Sequence, residues 1–304
     1  MFNGRGRGPQ KGLQGGHSVG RLTGTKDGLV GRAMPPASSF DSDAWAYIQA
    51  LQNTNTVIPH EWKIAINKFV RSGKAHGWWD AADCIYPIIG GTINAHAINL
   101  RNPNKYKVTW FGSTNHNLKG ASIGGSTSQY GDTGYNPYTT PSNFTGSVGT
   151  LSCYVTVNPL YATGTALLGN LSAITTQLST IRVSASQTGY ESFSGSNSGT
   201  LYNPYPTAVV QGFLSYQTNG IPGQAKAFNN GQEILDASWG YSALFNGNMY
   251  ILGANFGNAN YNFNPPLQTF GFFYFGGSSF KQMDLYNDVQ NLQVVLGRAN
   301  LSGS

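Results

Sequence analysis

Between Cys84 and Phe275 the chain keeps returning to one pattern: short apolar or alternating runs, each closed by a cluster of Gly, Asn, Ser or Pro. Tyr106-Lys107-Val108-Thr109-Trp110-Phe111, Leu151-Ser152-Cys153-Tyr154-Val155-Thr156-Val157, Val209-Val210-Gln211-Gly212-Phe213-Leu214-Ser215-Tyr216 and Asn248-Met249-Tyr250-Ile251-Leu252-Gly253 are examples. Runs this short are strands, because an amphipathic helix needs about ten residues or more to bury a face. Many short strands with such punctuation fold as sandwiches, so the predicted class is all-β, an antiparallel jelly-roll β-sandwich. Asn229-Asn230-Gly231, between Lys226-Ala227-Phe228 and Gln232-Glu233-Ile234, predicts a hairpin, since Asn and Gly accept the positive φ that tight turns require. Asn246-Gly247 predicts a second turn of the same chemistry. No constant repeat of about 20 to 50 residues is visible in the sequence, which argues against a propeller or solenoid.

Helical spacing is confined to the flanks. Asp41 or Ser42 can cap a helix carrying Trp45, Ile48 and Leu51. Pro59 suits a first helical position, and Trp62, Ile66, Phe69 and Val70 form a stripe expected to end at Gly73. Near the C-terminus, Ser279 with Gln282 has the form of a capping box, Leu285, Val289, Leu292 and Leu296 form one stripe, and Gly297 is the expected stop. All three stripes read as packing faces. The predicted organisation is an arm over 1–36, a short helical segment over 37–76, and a sandwich with a closing helix over 77–304.

The arm is set apart by charge. Residues 1–32 hold Arg5, Arg7, Lys11, Arg21, Lys26 and Arg32 against Asp27 alone, which places five of the chain's six net positive charges there. Ten glycines and one aromatic, Phe2, leave this segment too little apolar surface to offset the entropy of ordering it alone. It reads as an extended anchor laid along another protein. Nucleic acid is the less favoured partner, because no aromatic residues interleave with the basic ones.

Elsewhere charge is scarce. Charged residues make up 10% of the 304 positions, against about 25% in an average domain, so Asn, Ser, Thr, Gln and Tyr must solvate the surface. That composition excludes a coiled coil, and an aromatic content of 13% excludes disorder throughout. A chain of this size buries enough surface to need no staple, so Cys84 and Cys153 are expected as buried free thiols. No run approaches the roughly 18 apolar residues of a membrane span, and the first residues lack the apolar core of a secretory signal. Delivery by assembly into a particle is therefore the expectation.

Chemistry is thin in the sequence. His17, His60, His76, His96 and His116 are scattered without a metal-ligand spacing, and no nucleophile elbow or phosphate loop is present. Glycoside hydrolysis needs two carboxylates about 5 to 9.5 Å apart. Glu233 with Asp236 sit beside a turn, Glu191 stands alone, and Asp80 with Asp83 and Asp284 with Asp288 read as solvated acids. Asp132 and Asn136 fall short of the six to eight oxygens that calcium requires. The expectation is no enzyme, no cofactor and no metal. Binding is better served: Tyr130, Tyr135, Tyr138, Tyr202, Tyr205, Trp239 and Tyr241 lie in Asn-, Gly- and Pro-rich segments, where flat rings beside amides suit sugars or protein surfaces. Tyr135, Tyr138, Tyr202, Tyr205, Trp239 and Tyr241 are the candidate binding residues.

Several short segments, in order, carry a resemblance. The Trp62 to Val70 helix, Gly77-Trp78-Trp79-Asp80, Ile85-Tyr86-Pro87-Ile88-Ile89-Gly90-Gly91-Thr92, His96-Ala97-Ile98-Asn99-Leu100-Arg101-Asn102-Pro103, Gly131-Asp132-Thr133-Gly134-Tyr135-Asn136-Pro137, the Lys226 to Ile234 hairpin, Asn246 to Gly253, and the closing Leu285-Tyr286-Asn287-Asp288-Val289-Gln290 and Leu296-Gly297-Arg298 resemble a family of bacteriophage virion proteins with a laminin-G-like or concanavalin-like jelly roll. The resemblance spans about residues 58 to 298. It implies a location in the virion as a surface or appendage component (spike, fibre or tail protein), with other virion proteins and further copies of itself as partners and host-surface glycan as a candidate ligand. A capsid shell or decoration protein is the first alternative. A glycan-degrading enzyme on a concanavalin-like fold is the second.

Overall fold

The computed structural model describes residues 39–124, 128–145, 148–157, 165–171, 178–184, 189–194, 201–203, 212–219, 225–237, 244, 246–257, 259–261 and 269–299. Arg5, Arg7, Lys11, Arg21, Lys26 and Arg32 lie outside them, as do Tyr205, Trp239 and Tyr241. The strands are β1 (Ala82–Tyr86), β2 (Thr109–Phe111), β3 (Asn115–Asn117), β4 (Gly120–Ser122), β5 (Tyr130–Asp132), β6 (Val148–Val157), β7 (Thr165–Leu171), β8 (Leu178–Ser184), β9 (Gly189–Ser194), β10 (Leu201–Asn203), β11 (Gly212–Asn219), β12 (Ala225–Asn229), β13 (Gln232–Ala237), β14 (Tyr250–Ile251), β15 (Ala254–Phe256), β16 (Ala259–Tyr261) and β17 (Thr269–Gly276).

They form two sheets, sandwich-like and largely antiparallel. The first runs β13-β12-β11-β6-β17, after which β4 and β1 share the far edge of β17 and β3 follows β4. The second runs β10-β9-β8-β7-β14-β5-β2, with β15 pairing parallel to β7 and antiparallel to β16. The anticipated hairpin joins β12 to β13 through Asn230 (φ 48°) and Gly231 (φ 77°), both left-handed as a two-residue turn requires.

The strand β17, Thr-Phe-Gly-Phe-Phe-Tyr-Phe-Gly, shows why the chain builds three layers. Every position on it is buried. Phe270, Phe273 and Phe275 enter the core between the two sheets, with Cys84, Tyr86, Leu151, Cys153, Leu214, Leu168, Ile181 and Ile251. Phe272 and Tyr274 enter a second core, on the other face of the first sheet, beneath the helices. A strand apolar on both faces must be covered on both, and each buried ring contributes roughly 1.5 to 3 kcal/mol. The pairing shifts register at Gly271, where a Cβ would stand 2.7 Å from both Thr156 and Gln293. Cys84 and Cys153 are buried and unbonded, as expected.

The helical layer comprises α1 (Ser42–Gln52), α2 (His60–His76), α3 (Trp78–Ala81), α4 (Ile93–His96) and α5 (Gln282–Val295). Asp41 caps α1 through the Asp43 N–H and accepts from Lys74 of α2 at 2.8 Å. Two boundaries differ from expectation. Pro59 is the residue before α2, and α2 runs through Gly73 to a left-handed Gly77. Gly73 lies within the helix because the Trp78 ring packs flat where its Cβ would be. The capping box of α5 does not form: Lys281 precedes the helix, which Gln282 opens without a side-chain cap. The stripe Leu285, Val289, Leu292 and Leu296 is buried against the first sheet, and Gly297 (φ 67°) ends it. Among the described residues no helix is long and apolar enough to cross a membrane.

Two buried charges lock these layers. Asp288 accepts from Ser72 Oγ (2.6 Å), His76 Nδ1 (2.9 Å) and Trp78 Nε1 (2.8 Å), joining α5 to α2 and α3. Arg298 donates to the carbonyls of Ile88 (2.6 Å), Leu118 (2.8 Å), Gly271 (3.1 Å) and Pro87 (3.3 Å), and burial holds its pKa down to about 10. Neither group is a solvated surface charge, which corrects the reading of Asp288.

Candidate functional site

The most organised polar and aromatic surface lies on the face of the second sheet turned away from the core. Strand alternation assigns it. Gly131 and Ile251 are register partners, and Ile251 points inward, so Tyr130, Asp132 and Tyr250 point outward. The pairing of β2 with β5 then sets Phe111 opposite Tyr130 and Thr109 opposite Asp132. The patch therefore has two rows across three strands, Thr109–Asp132–Tyr250 and Phe111–Tyr130. At ordinary strand spacings it measures about 7 Å by about 10 Å.

Its rings form a column. Phe111 stacks on Tyr130 with centroids 4.7 Å apart and planes 10° apart, and Tyr130 stacks on Tyr250 at 4.6 Å and 21°. Such pairs add about 0.5 to 1.5 kcal/mol each beyond area burial. The column runs from Tyr250, 5% exposed, to Phe111, 40% exposed, on a strand that ends its sheet. Burial, with the Asp132 carboxylate and the Tyr130 hydroxyl beside it, pushes the Tyr250 phenol up. Gly131 makes this close approach of strands feasible, because a Cβ there would meet Val108, Trp110 and Ile251 within 3 Å.

Asp132 is the polar centre of the patch. Its Oδ1 accepts from the Gly134 N–H (2.8 Å) and Asn248 Nδ2 (3.1 Å), and its Oδ2 from the same amide at 3.2 Å. The irregular segment carrying Asn248 is braced from within. Asn170 Nδ2 donates to the Gly247 carbonyl, Asn255 Nδ2 to the Asn248 carbonyl, and the Thr133 hydroxyl to the Met249 carbonyl. Asn136 Nδ2 donates to Asn246 Oδ1, and Asn136 Oδ1 caps the turn at Tyr138. Asp132 and Asn136 thus spend their oxygens separately, and among the described residues no three His, Cys, Asp or Glu side chains converge on a metal position.

The sequence-based candidates fare unevenly. Tyr138 is exposed at 58%. Tyr135 is not a surface residue: it is 1% exposed, packs in the inter-sheet core, and donates its hydroxyl to Asp83 at 2.8 Å. Its alternation with buried Thr133 turns it inward, so it leaves the set of binding residues. Tyr202 lies on β10 in register with Glu191 of β9. Phe111 and Tyr250 were legible only as strand residues. The signal available for them was the shared parity of 109, 111, 130 and 132, which has no meaning until β2 and β5 are known to pair.

Asp83, read as solvated, is half-buried and accepts from the Tyr135 hydroxyl and the Asn143 and Phe144 N–H groups, with burial pushing its pKa up. The scattered histidines include one pair, His96 and His116, whose Nδ1 atoms lie 3.0 Å apart.

No family model matches the chain, and no curated protein matches its sequence. Solved structures do resemble it. Domain 4 of AbnA, an extracellular GH43 arabinanase from Geobacillus stearothermophilus, is 13% identical, with a TM-score of 0.43 over 69% of this chain and 98% of that one. A botulinum neurotoxin type C structure is 11% identical at a TM-score of 0.48, and a Trypanosoma rangeli sialidase 10% identical at 0.46. The match covers 70% of this chain and 52% of the toxin chain, and 75% of this chain and 38% of the sialidase chain. These likenesses concern sheet architecture and assign no activity. They do correct one expectation: with glycoside hydrolases among the neighbours, the reading of a chain without enzymatic activity is withdrawn.

Proposed function

We propose that the chain is a bacteriophage virion surface protein, a jelly-roll body held by its basic N-terminal arm, which contacts host-surface glycan through the outer face of its second sheet. The observation that carries the glycan contact is the ring column Phe111–Tyr130–Tyr250 beside Asp132, Thr109 and Asn248. A column of stacked rings turns its free face outward at its last member, here Phe111, and apolar C–H faces of a sugar pack on such a face while hydroxyls reach flanking acceptors. The virion location is supported by the ordered run of family-like segments and by an arm whose charge and glycine content suit a neighbouring subunit's groove. Assembly with other virion proteins and with further copies of itself follows from that location. Nucleic acid is the disfavoured partner of the arm.

A glycan array probed with the full chain and with Phe111→Ala tests the contact. Binding to a host-surface glycan, lost in the variant, is the expected result; retention of binding by Phe111→Ala would refute it. Deleting residues 1–32 tests anchoring: particles should lack the protein, and normal incorporation removes that role. Copy number in purified particles separates an appendage from a shell or decoration protein.

A second reading, glycan cleavage on the same face, has one observation in its favour. Asp132 is the register partner of Tyr250 and lies two residues from Tyr130 on the same strand, so one carboxylate and two phenols share the face. Release of reducing ends from a bound glycan, abolished by Asp132→Asn, would establish it.

A further inference from the structure

We propose that the His96–His116 contact is an acid-operated latch on the edge of the sandwich, holding Phe111 in the ring column at neutral pH and releasing it in acid; its control of a ligand rests on the glycan-binding reading above. β2 and β3 are three-residue strands that end their sheets, and each has one strand partner, β5 and β4 respectively. Edges this short hold few backbone bonds and open at low cost, so side-chain contacts keep them closed. Trp110 alternates with exposed Thr109 and Phe111, turns toward the core between the sheets, and meets the His116 ring edge-on at 4.7 Å. Its Nε1 has no hydrogen-bond partner among the described residues, so packing alone holds that ring. His116 is held in turn by His96 of α4, Nδ1 to Nδ1 at 3.0 Å, and by Thr114 Oγ1 at 2.8 Å, on the loop joining β2 to β3.

Two imidazoles at that distance need one N–H and one bare nitrogen. A proton added to His116 removes the bare nitrogen. His96 is 1% exposed and accepts the Gly91 N–H, whereas His116 is half-buried on an edge strand, so His116 is the ring that moves. Nothing nearby offsets the added charge: α4, β2, β3, β4 and residues 85–92 contain no Asp or Glu. The cations beside the pair are Arg298, which donates to the Leu118 carbonyl, and Lys119, which donates to the Gly297 carbonyl. Lys107 and Asp132 lie on the outward face of the second sheet, across β2 from the pair. An imidazolium enclosed beside cations is expelled toward water. Trp110 then loses the ring it packs on and Thr114 its bond, which frees the 112–114 loop and Phe111 at its start.

Hydrogen exchange of the full chain reads the latch without a ligand. Each proton taken up on opening favours the open form by up to about tenfold per pH unit below about 6.5. Between pH 6.5 and 4.5, protection over residues 109–117, corrected for intrinsic rates, should fall at least about tenfold relative to β6 and β17. In His116→Gln and His116→Asn, which keep an amide acceptor and donor in place of the ring, the fall should be under about threefold, with protection of β6 and β17 showing that each variant is folded. A flat profile in the unsubstituted chain, or a fall that persists in a folded variant, overturns the latch. Affinity for the glycan found on the array should drop at least about threefold over the same range and stay level in the variants. Level affinity in the unsubstituted chain overturns the control of the ligand. Absence of glycan binding at every pH fails the glycan reading alone, and the exchange profile still decides the latch.

Discussion

Acid should loosen this protein through a pair of histidines. The Gly91 N–H donates to His96 Nε2 at 3.0 Å, so the single ring proton of neutral His96 is on Nδ1. That Nδ1–H donates to His116 Nδ1 at 3.0 Å, and His116 Nε2–H donates to Thr114 Oγ1 at 2.8 Å. Every ring nitrogen is committed, and any added proton sets two N–H groups against each other. His96 is 1% exposed; burial first, then His116 and the Arg298 guanidinium, hold its pKa well below the ordinary value. Burial lowers His116 to about 4. A folded pKa below the unfolded value means that the unfolded chain takes the proton first as pH falls. The stability is fully present above about 6.5 and is lost toward about 4. One proton over that window is worth up to about 3 kcal/mol, and partial solvent contact of the His116 ring reduces this to about 2 kcal/mol.

Urea unfolding between pH 7.5 and 4.5 measures it, with His116→Gln as the comparison because other groups titrate too. His76, raised by its bond to Asp288, acts with the opposite sign, stabilising below about 6.5 and fading as pH rises through its folded value. Asp83, raised by burial, likewise favours the folded state on acidification. Relative to the unsubstituted chain, His116→Gln should lose less stability between pH 6.5 and 4.5. Parallel pH profiles would refute the argument. The consequence is structural, since His116 also packs edge-on against Trp110 at 4.7 Å and so ties β3 of the first sheet to β2 of the second.

Other perturbations follow from the packing. Leu292→Ala on the buried stripe of α5 should cost about 2 to 5 kcal/mol by urea midpoint, and an unchanged midpoint would mean that the helix is not docked. Gly73→Ala drives a methyl into the Trp78 ring and should destabilise by about 1 to 3 kcal/mol despite improving helix propensity; a gain in thermal midpoint would contradict the packing. Arg298→Met strands the carbonyls of Ile88, Leu118 and Gly271 and should cost about 3 kcal/mol or more, read from the same unfolding curves. Cys84 and Cys153, with thiols pushed up by burial, should resist a maleimide in the native state and react only on unfolding; rapid native labelling would contradict their burial.

Local chemistry was legible wherever a residue acts on its immediate neighbours. The Asn230-Gly231 turn, the stripes of α2 and α5, the Asp41 cap and the short-strand texture all follow from covalent geometry and periodicity. Partners distant in sequence were not legible. Tyr135 resembles a loop tyrosine until the Asp83 carboxylate, 52 residues away, accepts its hydroxyl. Asp288 resembles a surface acid until α2 and α3 bring three donors to it. His96 and His116 form a pair only because α4 and β3 meet. The sequence by itself determined a sheet-built body flanked by amphipathic helices, with a basic glycine-rich leader, since backbone preference and apolar period are properties of neighbouring residues. Only the tertiary structure decided that Phe111, Tyr130 and Tyr250 stack beside Asp132, because strand pairing sets which distant side chains share a face, and a one-residue slip of β5 alone would have turned Tyr130 and Asp132 into the core.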